Sequence, residues 1–290
     1  MTRGAAFFDL DKTVIAKSST LAFGRPFFAG GLINRRAVLK GAYAQFAFSL
    51  AGADATQMER MRAQITDMAT GWDVATVHEI VSETLHEVVD PLVYAEAADL
   101  IEFHRAAGRE IVIVSSSGAE MVEPIGAMLG ADRVVATRMV TADGHYTGEI
   151  AFYAYGENKA EAMRQVAAES GYDLADCYAY SDSVTDLPML SAVGHPTAVN
   201  PDRALRKAAA ERGWPVLEFT RPVSMRSRFA VPPVPVVTGA AMGVGAAVAG
   251  LAWYARRRAL RAVAAAASTA ASTAAPVAVT AAGRWRHRGA

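Results

Sequence analysis

One cysteine, Cys177, is all that the 290 residues contain. A lone thiol excludes an internal disulfide framework and any multi-cysteine metal cluster. It suits a reducing compartment, where Cys177 is expected to pack as a small buried hydrophobe. The beginning of the chain has no long apolar run either: Met1, Thr2 and Arg3 lead into a short stretch already broken by Asp9. No signal-peptide core is expected there, and the front of the chain is assigned to the cytoplasm. A third absence lies at the other end, where residues 221–290 hold ten Arg and no Asp, Glu or Lys. Because the whole chain has 29 basic and 29 acidic residues, residues 1–220 are left with 19 basic against 29 acidic. The neutral total is therefore a front of net −10 and a back of net +10. A front of that sign argues against a nucleic-acid partner, since phosphate backbones are met by a basic face, and turns attention to small molecules or metal-complexed anions.

Along the chain, Gly4 to Leu10 is a continuous apolar run ending in carboxylates, the pattern of a buried parallel strand. From Ser18 to about Pro91 the apolar spacing is three to four, predicting helices over Arg35–Leu50, Thr56–Thr70 and Val74–Val89, with Asp54 and Asp73 as N-caps. A helix over Leu92–Ala107 follows, stopped by Gly108. Strands and helices then alternate. Strands are expected at Glu110–Val114, Arg133–Ala136, Cys177–Tyr180, Pro196–Val199 and Val216–Phe219. Helices are expected at Gly118–Leu129, Asn158–Ser170, Asp186–Ala192 and Asp202–Arg212, and Asp143-Gly144 turns a hairpin between Arg138–Thr141 and Tyr146–Ile150. This alternation predicts an α/β fold with an open, mostly parallel, Rossmann-like sheet. The block at 18–91 is too long for a βα loop, so it reads as an all-helical cap inserted between core segments 1–17 and 92–220.

In such a sheet a ligand sits beyond the carboxyl ends of the strands. Here those ends carry Asp9, Asp11 and Thr13; then Ser115, Ser116 and Ser117; then Asp182 and Asp186; and Lys159 opens the helix before the last of these strands. Three carboxylates drawn together repel unless a hard cation joins them, and oxygen-only ligation suits Mg²⁺, which in turn brings a phosphate. An aspartate such as Asp9 is able to take a phosphoryl group as an acyl phosphate, and Asp11, two residues on, is placed to protonate a leaving alkoxide and then deprotonate water. Ser115 and nearby amides are suited to phosphoryl oxygens, and Lys159 to their charge.

The order Asp9-Leu-Asp11-Lys-Thr13, a strand ending in Ser115, Lys159 at a helix start, and Asp182-Ser-Val-Thr-Asp186 resembles the four motifs of the haloacid dehalogenase (HAD) superfamily over about residues 4 to 220. The helical insert after the first motif, and Ser-Asp-Ser-x-x-Asp-Leu-Pro-Met-Leu at the fourth, resemble its subfamily IB, the phosphoserine-phosphatase-like group. The resemblance implies Asp9 as nucleophile, Asp11 as general acid and base, and Ser115 and Lys159 as phosphoryl binders, with Ser116 and Thr13 beside them. It implies Mg²⁺ held by Asp9, the Asp11 backbone carbonyl and Asp182, with Asp186 in support. A second aspartate at the Asp11 position implies a phosphatase and not a dehalogenase. The chain departs from the group in one respect: phosphoserine phosphatases usually carry a glutamate shortly after the first motif to read the substrate amine. Here the segment is Ala16-Lys17-Ser18-Ser19-Thr20, with no acid between Asp11 and Asp54. The implied activity is therefore Mg-dependent hydrolysis of a small phosphorylated metabolite. Phosphoserine phosphatase proper is the alternative within the same chemistry, and a membrane-tethered, non-catalytic regulator the alternative outside it.

Other candidates have structural explanations. Asp186 also fits as an N-cap, His78, His86 and His104 are expected at the surface or in the cap, and Phe27, Phe28, Tyr43, Phe46 and Phe48 as its core. At the basic end, Pro222–Pro235 reads as a linker within 221–235. Residues 229–255 carry no charge, and about 20 helical residues suffice for a span. Residues 236–255 are thus a candidate transmembrane helix, with Trp253, Tyr254 and Arg256–Arg258 as its interfacial anchor and anionic lipid as partner. Residues 256–290 read as an Ala-rich, unstructured tail.

Overall fold

A computed structural model describes residues 4–33, 66–67 and 69–222. Its organising element is the first apolar run, β1 (Ala5–Asp9), every residue of which is buried. Side chains alternate across a strand, so Ala6 and Phe8 join one apolar cluster while Ala5 and Phe7 join another on the opposite face. Burying Phe7 and Phe8 fully contributes about 1.5–3 kcal/mol each. The remaining strands are β2 (Glu110–Gly118), β3 (Arg133–Ala142), β4 (His145–Phe152), β5 (Tyr178–Ser181), β6 (His195–Val199) and β7 (Val216–Leu217). They form one sheet in the order β4-β3-β2-β1-β5-β6-β7, parallel except for the β3–β4 pair. This is the α/β architecture expected from the alternation, with β1 at its centre.

Helices cover both faces. α4 (Ala95–Ala106) and α5 (Ala119–Leu129) supply Ala97, Ile101, Val122 and Ile125 to the cluster around Phe8. α6 (Glu157–Ser170), α7 (Leu187–Ser191) and α8 (Arg203–Arg212) supply Met163, Val166, Met189, Leu190, Leu205 and Ala209 to that around Phe7. Cys177 is fully buried in the second cluster, its sulfur accepting from the Ala5 N–H at 3.3 Å.

Between β1 and α4, the described part of the insert contains α1 (Ser19–Ala22), α2 (Gly24–Ala29) and α3 (Val74–Val88). Asp73 caps α3 by accepting the Thr76 N–H at 2.7 Å, and Val77, Val81 and Leu85 face inward. The two ends of the insert meet: Ala16 N–H donates to the Leu92 carbonyl at 2.8 Å and Tyr94 N–H to that of Val14 at 3.0 Å. The helices expected at 35–50 and over most of 56–70 lie outside the described residues, as do Tyr43, Phe46 and Phe48. Phe27 is buried against Phe23 and Trp72, whereas Phe28 is exposed.

Two expectations are corrected. Arg133–Ala136 and Arg138–Thr141 are not separate strands but one, β3. The Thr137 hydroxyl donates to the Ser116 carbonyl at 2.8 Å where the β2–β3 register shifts, so the strand leaves its parallel partner and continues into the hairpin with β4. Asp143 and Gly144 turn that hairpin with φ of 50° and 77°. His104 is also not at the surface: it is fully buried beneath the sheet, its Nε2 2.7 Å from the Tyr180 hydroxyl. His78 and His86 are exposed. Among the described residues no helix is long and apolar enough to cross a membrane. The candidate span at 236–255, the linker beyond Pro222 and the basic tail lie outside them.

Candidate active site

The strand registers bring the reactive groups to one edge. Asp9 ends β1 level with Val114, so Ser115 comes next on β2, and Phe8 lies level with Tyr180, so Ser181 ends β5 and Asp182 follows the strand. After Asp9 the chain turns tightly, the Leu10 carbonyl accepting the N–H groups of both Val14 and Ile15 while Lys12 takes φ 63°. Leu10, Val14 and Ile15 are anchored in the core. The turn returns Thr13 to Asp9, whose Oδ2 accepts from the Thr13 hydroxyl at 3.1 Å.

Lys159 lies in the first turn of α6, a helix introduced by Gly156 at φ 56°, ψ −125°, a region open essentially to glycine. Its buried ammonium donates to Asp9 Oδ1 at 2.7 Å and to Asp186 Oδ2 at 2.8 Å. Ser181 donates to the same Asp186 oxygen at 2.7 Å. Asp186 stands at the N-cap position of α7 yet makes no capping bond, so capping does not account for its side chain. Burial works against the Lys159 charge, but Asp186 and Asp9 outweigh it and hold the ammonium above the ordinary lysine range. Asp9 is pushed well above the usual carboxylate range by burial, which the attraction of Lys159 does not cancel and which Asp186 and Asp182 reinforce. Asp182 is pushed up to about 7, again by burial first, with Lys12 and Lys159 opposing and Asp186 and Asp202 adding to it.

Asp11 faces away from this ion cluster. Its Oδ1 accepts the Ser19 N–H at 2.8 Å and its Oδ2 the Ser117 hydroxyl at 3.0 Å. Ser115 is buried, its Oγ accepting the Ser117 N–H at 3.2 Å, while the neighbouring Ser116 side chain is exposed. The sequence places Ser117 at this strand end without giving it a role, and it singles out neither Ser19 nor Ser181. A period of two carried past Val114 would have paired Ser117, and not Ser116, with Ser115. Two open hollows, of about 710 Å³ along Arg164–Leu174 and about 350 Å³ between Glu96 and Phe219, include none of these side chains.

Among the described residues no group of three acidic, His or Cys side chains forms a ready cation site. Lys159 already ties Asp9 to Asp186, and the Asp11 carboxylate accepts the Ser19 N–H and the Ser117 hydroxyl. What remains toward the edge is Asp9, Asp182 and the backbone of Asp11. Hard oxygen donors with two carboxylates pushed toward protonation by burial and by neighbouring carboxylates are short of positive charge, and this donor set fits Mg²⁺.

Residues 6–191 match the family described as haloacid dehalogenase-like hydrolase. The chain belongs to that family. It is 64% identical over 263 residues to a Streptomyces azureus protein named "Inhibition of morphological differentiation protein", covering 89% of this chain and 95% of the relative. It is 63% identical over 257 residues to a Mycobacterium tuberculosis protein named a "probable phosphatase", covering 88% and 90%. A phosphoserine phosphatase of the same organism is 34% identical over 259 residues, covering 89% of this chain and 82% of the relative. Among solved structures, a Bordetella pertussis Tohama I protein described as of unknown function superposes with a TM-score of 0.66 at 28% identity, covering 75% of this chain and 99% of that one. With such relatives and a second aspartate at position 11, the HAD chain is an enzyme of the phosphatase type.

Proposed function

We propose that this phosphatase hydrolyses the phosphomonoester of a small metabolite in two steps, carrying the phosphoryl group on Asp9. The observation that carries the reading is the buried Lys159 bridge between Asp9 and Asp186 at the end of β1, with Asp11 oriented separately two residues on. The ammonium and the Thr13 hydroxyl fix the Asp9 carboxylate at the sheet edge. An Asp9 oxygen forms a bond to phosphorus as the ester P–O bond breaks, and Asp11 gives its proton to the departing alkoxide. Asp11 then takes a proton from water as the water oxygen bonds to phosphorus and the phosphorus–Asp9 bond breaks, releasing inorganic phosphate. Ser115 and the amides of the turn after it receive phosphoryl oxygens, and Lys159 offsets their charge. Asp9, Asp182 and the Asp11 backbone carbonyl would hold Mg²⁺, which supplies charge neutralisation at the phosphoryl oxygens when bound.

The substrate class is a soluble phosphomonoester and not a nucleic acid, given the acidic front. Phosphoserine itself lacks support in the motif loop, where no carboxylate stands to meet its amine. A regulatory role without turnover is favoured only by the name of the Streptomyces relative, and a complete set of ion-paired motif residues opposes it. We also propose that residues 236–255 tether the enzyme to a membrane. Hydrolysis of para-nitrophenyl phosphate with Mg²⁺ tests the enzymatic reading, which fails if wild type is no faster than Asp9→Asn.

A further inference from the structure

Asp9 and Asp11 are held in contrasting ways. Asp9 is clamped by an ammonium, whereas among the described residues Asp11 is held by neutral donors: the Ser19 N–H on Oδ1 and the Ser117 hydroxyl on Oδ2. Ser117 is itself fixed from three directions. Its N–H donates to Ser115 Oγ at 3.2 Å, its Oγ accepts from the Ser19 hydroxyl at 2.9 Å, and Thr20 Oγ1 lies 3.3 Å away. Ser19 is fully buried and Ser117 nearly so. The motif loop, the end of β2 and the first turn of the insert therefore meet at one hydroxyl.

We propose that Ser117, braced by Ser19 and Thr20, is a positioning residue that aims Asp11 at the leaving group. The proposal rests on Asp11 being the acid and base of the proposed reaction. Two donors on different carboxylate oxygens remove its rotational freedom while each oxygen keeps a lone pair for a proton. A neutral donor discriminates less between a carboxylate and a carboxylic acid than a cation does. Asp9, which must stay ionised to attack, has the cation; Asp11, which must lose and regain a proton in each turnover, has the hydroxyl. Because Ser19 and Thr20 open the insert, its seating on β2 also sets the aim of the acid. A metabolite whose leaving group is an alkoxide depends on this arrangement, while an aryl phosphate with a good leaving group depends on it little.

The test is kcat/KM, which reports the steps through leaving-group departure, for para-nitrophenyl phosphate, phenyl phosphate and an alkyl phosphate such as glycerol 2-phosphate. Ser117→Ala is expected to lose about 10- to 100-fold on the alkyl ester, at least tenfold more than it loses on para-nitrophenyl phosphate. Ser117→Thr, which keeps the hydroxyl, is expected to recover most of the alkyl activity, and Ser19→Ala to show a weaker form of the same selectivity. Asp11→Asn run alongside separates the two levels of the argument. If Asp11→Asn is itself unselective, the acid role of Asp11 fails and the proposal with it. If Asp11→Asn is selective but Ser117→Ala loses equally on all three esters, or Ser117→Thr recovers nothing, the positioning role alone is overturned. Should Ser117→Ala not fold, Ser117→Thr and Ser19→Ala decide by the same ratio.

Discussion

Lys159 stands between two buried carboxylates, 2.7 Å from Asp9 and 2.8 Å from Asp186. Removing one partner of such a cluster costs more than the cluster contributes, because charge is left buried without compensation. Lys159→Met, of similar length and without charge, is expected to destabilise the protein by about 3–5 kcal/mol in urea unfolding. It is also expected to lower kcat by at least about 100-fold, as loss of a preorganised charge at a phosphoryl site does. A variant that unfolds at the wild-type urea concentration would show that the ion cluster does not compensate charge as described. At this scale the sequence was informative where chemistry follows directly on a strand: Asp9, Asp182 and Ser115 each come just after an apolar run. It gave no role to Ser117 or Ser181, because a serine beside a strand end has no distinguishing pattern until its partner, Asp11 or Asp186, is brought to it.

Among the elements, α6 matters through its first residues. At Gly156 an added Cβ would meet nothing closer than the Thr185 carbonyl at 4.0 Å, so substitution there acts through the backbone alone. Gly156→Ala is expected to cost about 1–3 kcal/mol through its φ of 56° and ψ of −125°. Because the strain lies three residues before Lys159, kcat is expected to fall with the melting temperature; an unchanged kcat would contradict the link. α4 carries a second sensitivity, for Arg109 only donates and lies 3.3 Å from His104 Nδ1, so that nitrogen accepts and Nε2–H donates to Tyr180. Burial, and secondarily the Arg109 charge, lower the imidazole from 6.5 to about 4. Between those values the unfolded chain binds a proton that the folded one does not, so the contribution is complete above about pH 6.5 and is lost as pH falls toward 4. The linkage is on the order of 3 kcal/mol. His104→Gln is expected to flatten the pH dependence of urea unfolding in that window, and an equally steep curve would contradict it. Helix and strand positions were legible wherever one period ran uninterrupted, as in β1, α3 and α6. The length of β3 was not, since it depends on a cross-strand bond from Thr137. The burial of His104 was not either, since it depends on Tyr180, 76 residues away.

At the scale of the whole molecule, the opposed charges are separated along the chain. The acidic front includes the carboxylates of the site, and the arginine-only back flanks residues 236–255, whose marginal apolarity comes mostly from Ala, Gly and Val. If that segment tethers the protein, the full chain is expected in the membrane fraction and a chain ending at residue 228 in the supernatant, with the same rate on para-nitrophenyl phosphate. A full chain that stays in the supernatant would end the tethering proposal and leave the chemistry untouched. That chemistry is tested most directly by trapping the enzyme during turnover and locating the phosphoryl group by mass spectrometry. The prediction is a hydroxylamine-labile adduct on the peptide that carries Asp9, absent from Asp9→Asn. Turnover with no adduct on that peptide, or an Asp9→Asn enzyme that still hydrolyses substrate at the wild-type rate, would contradict it.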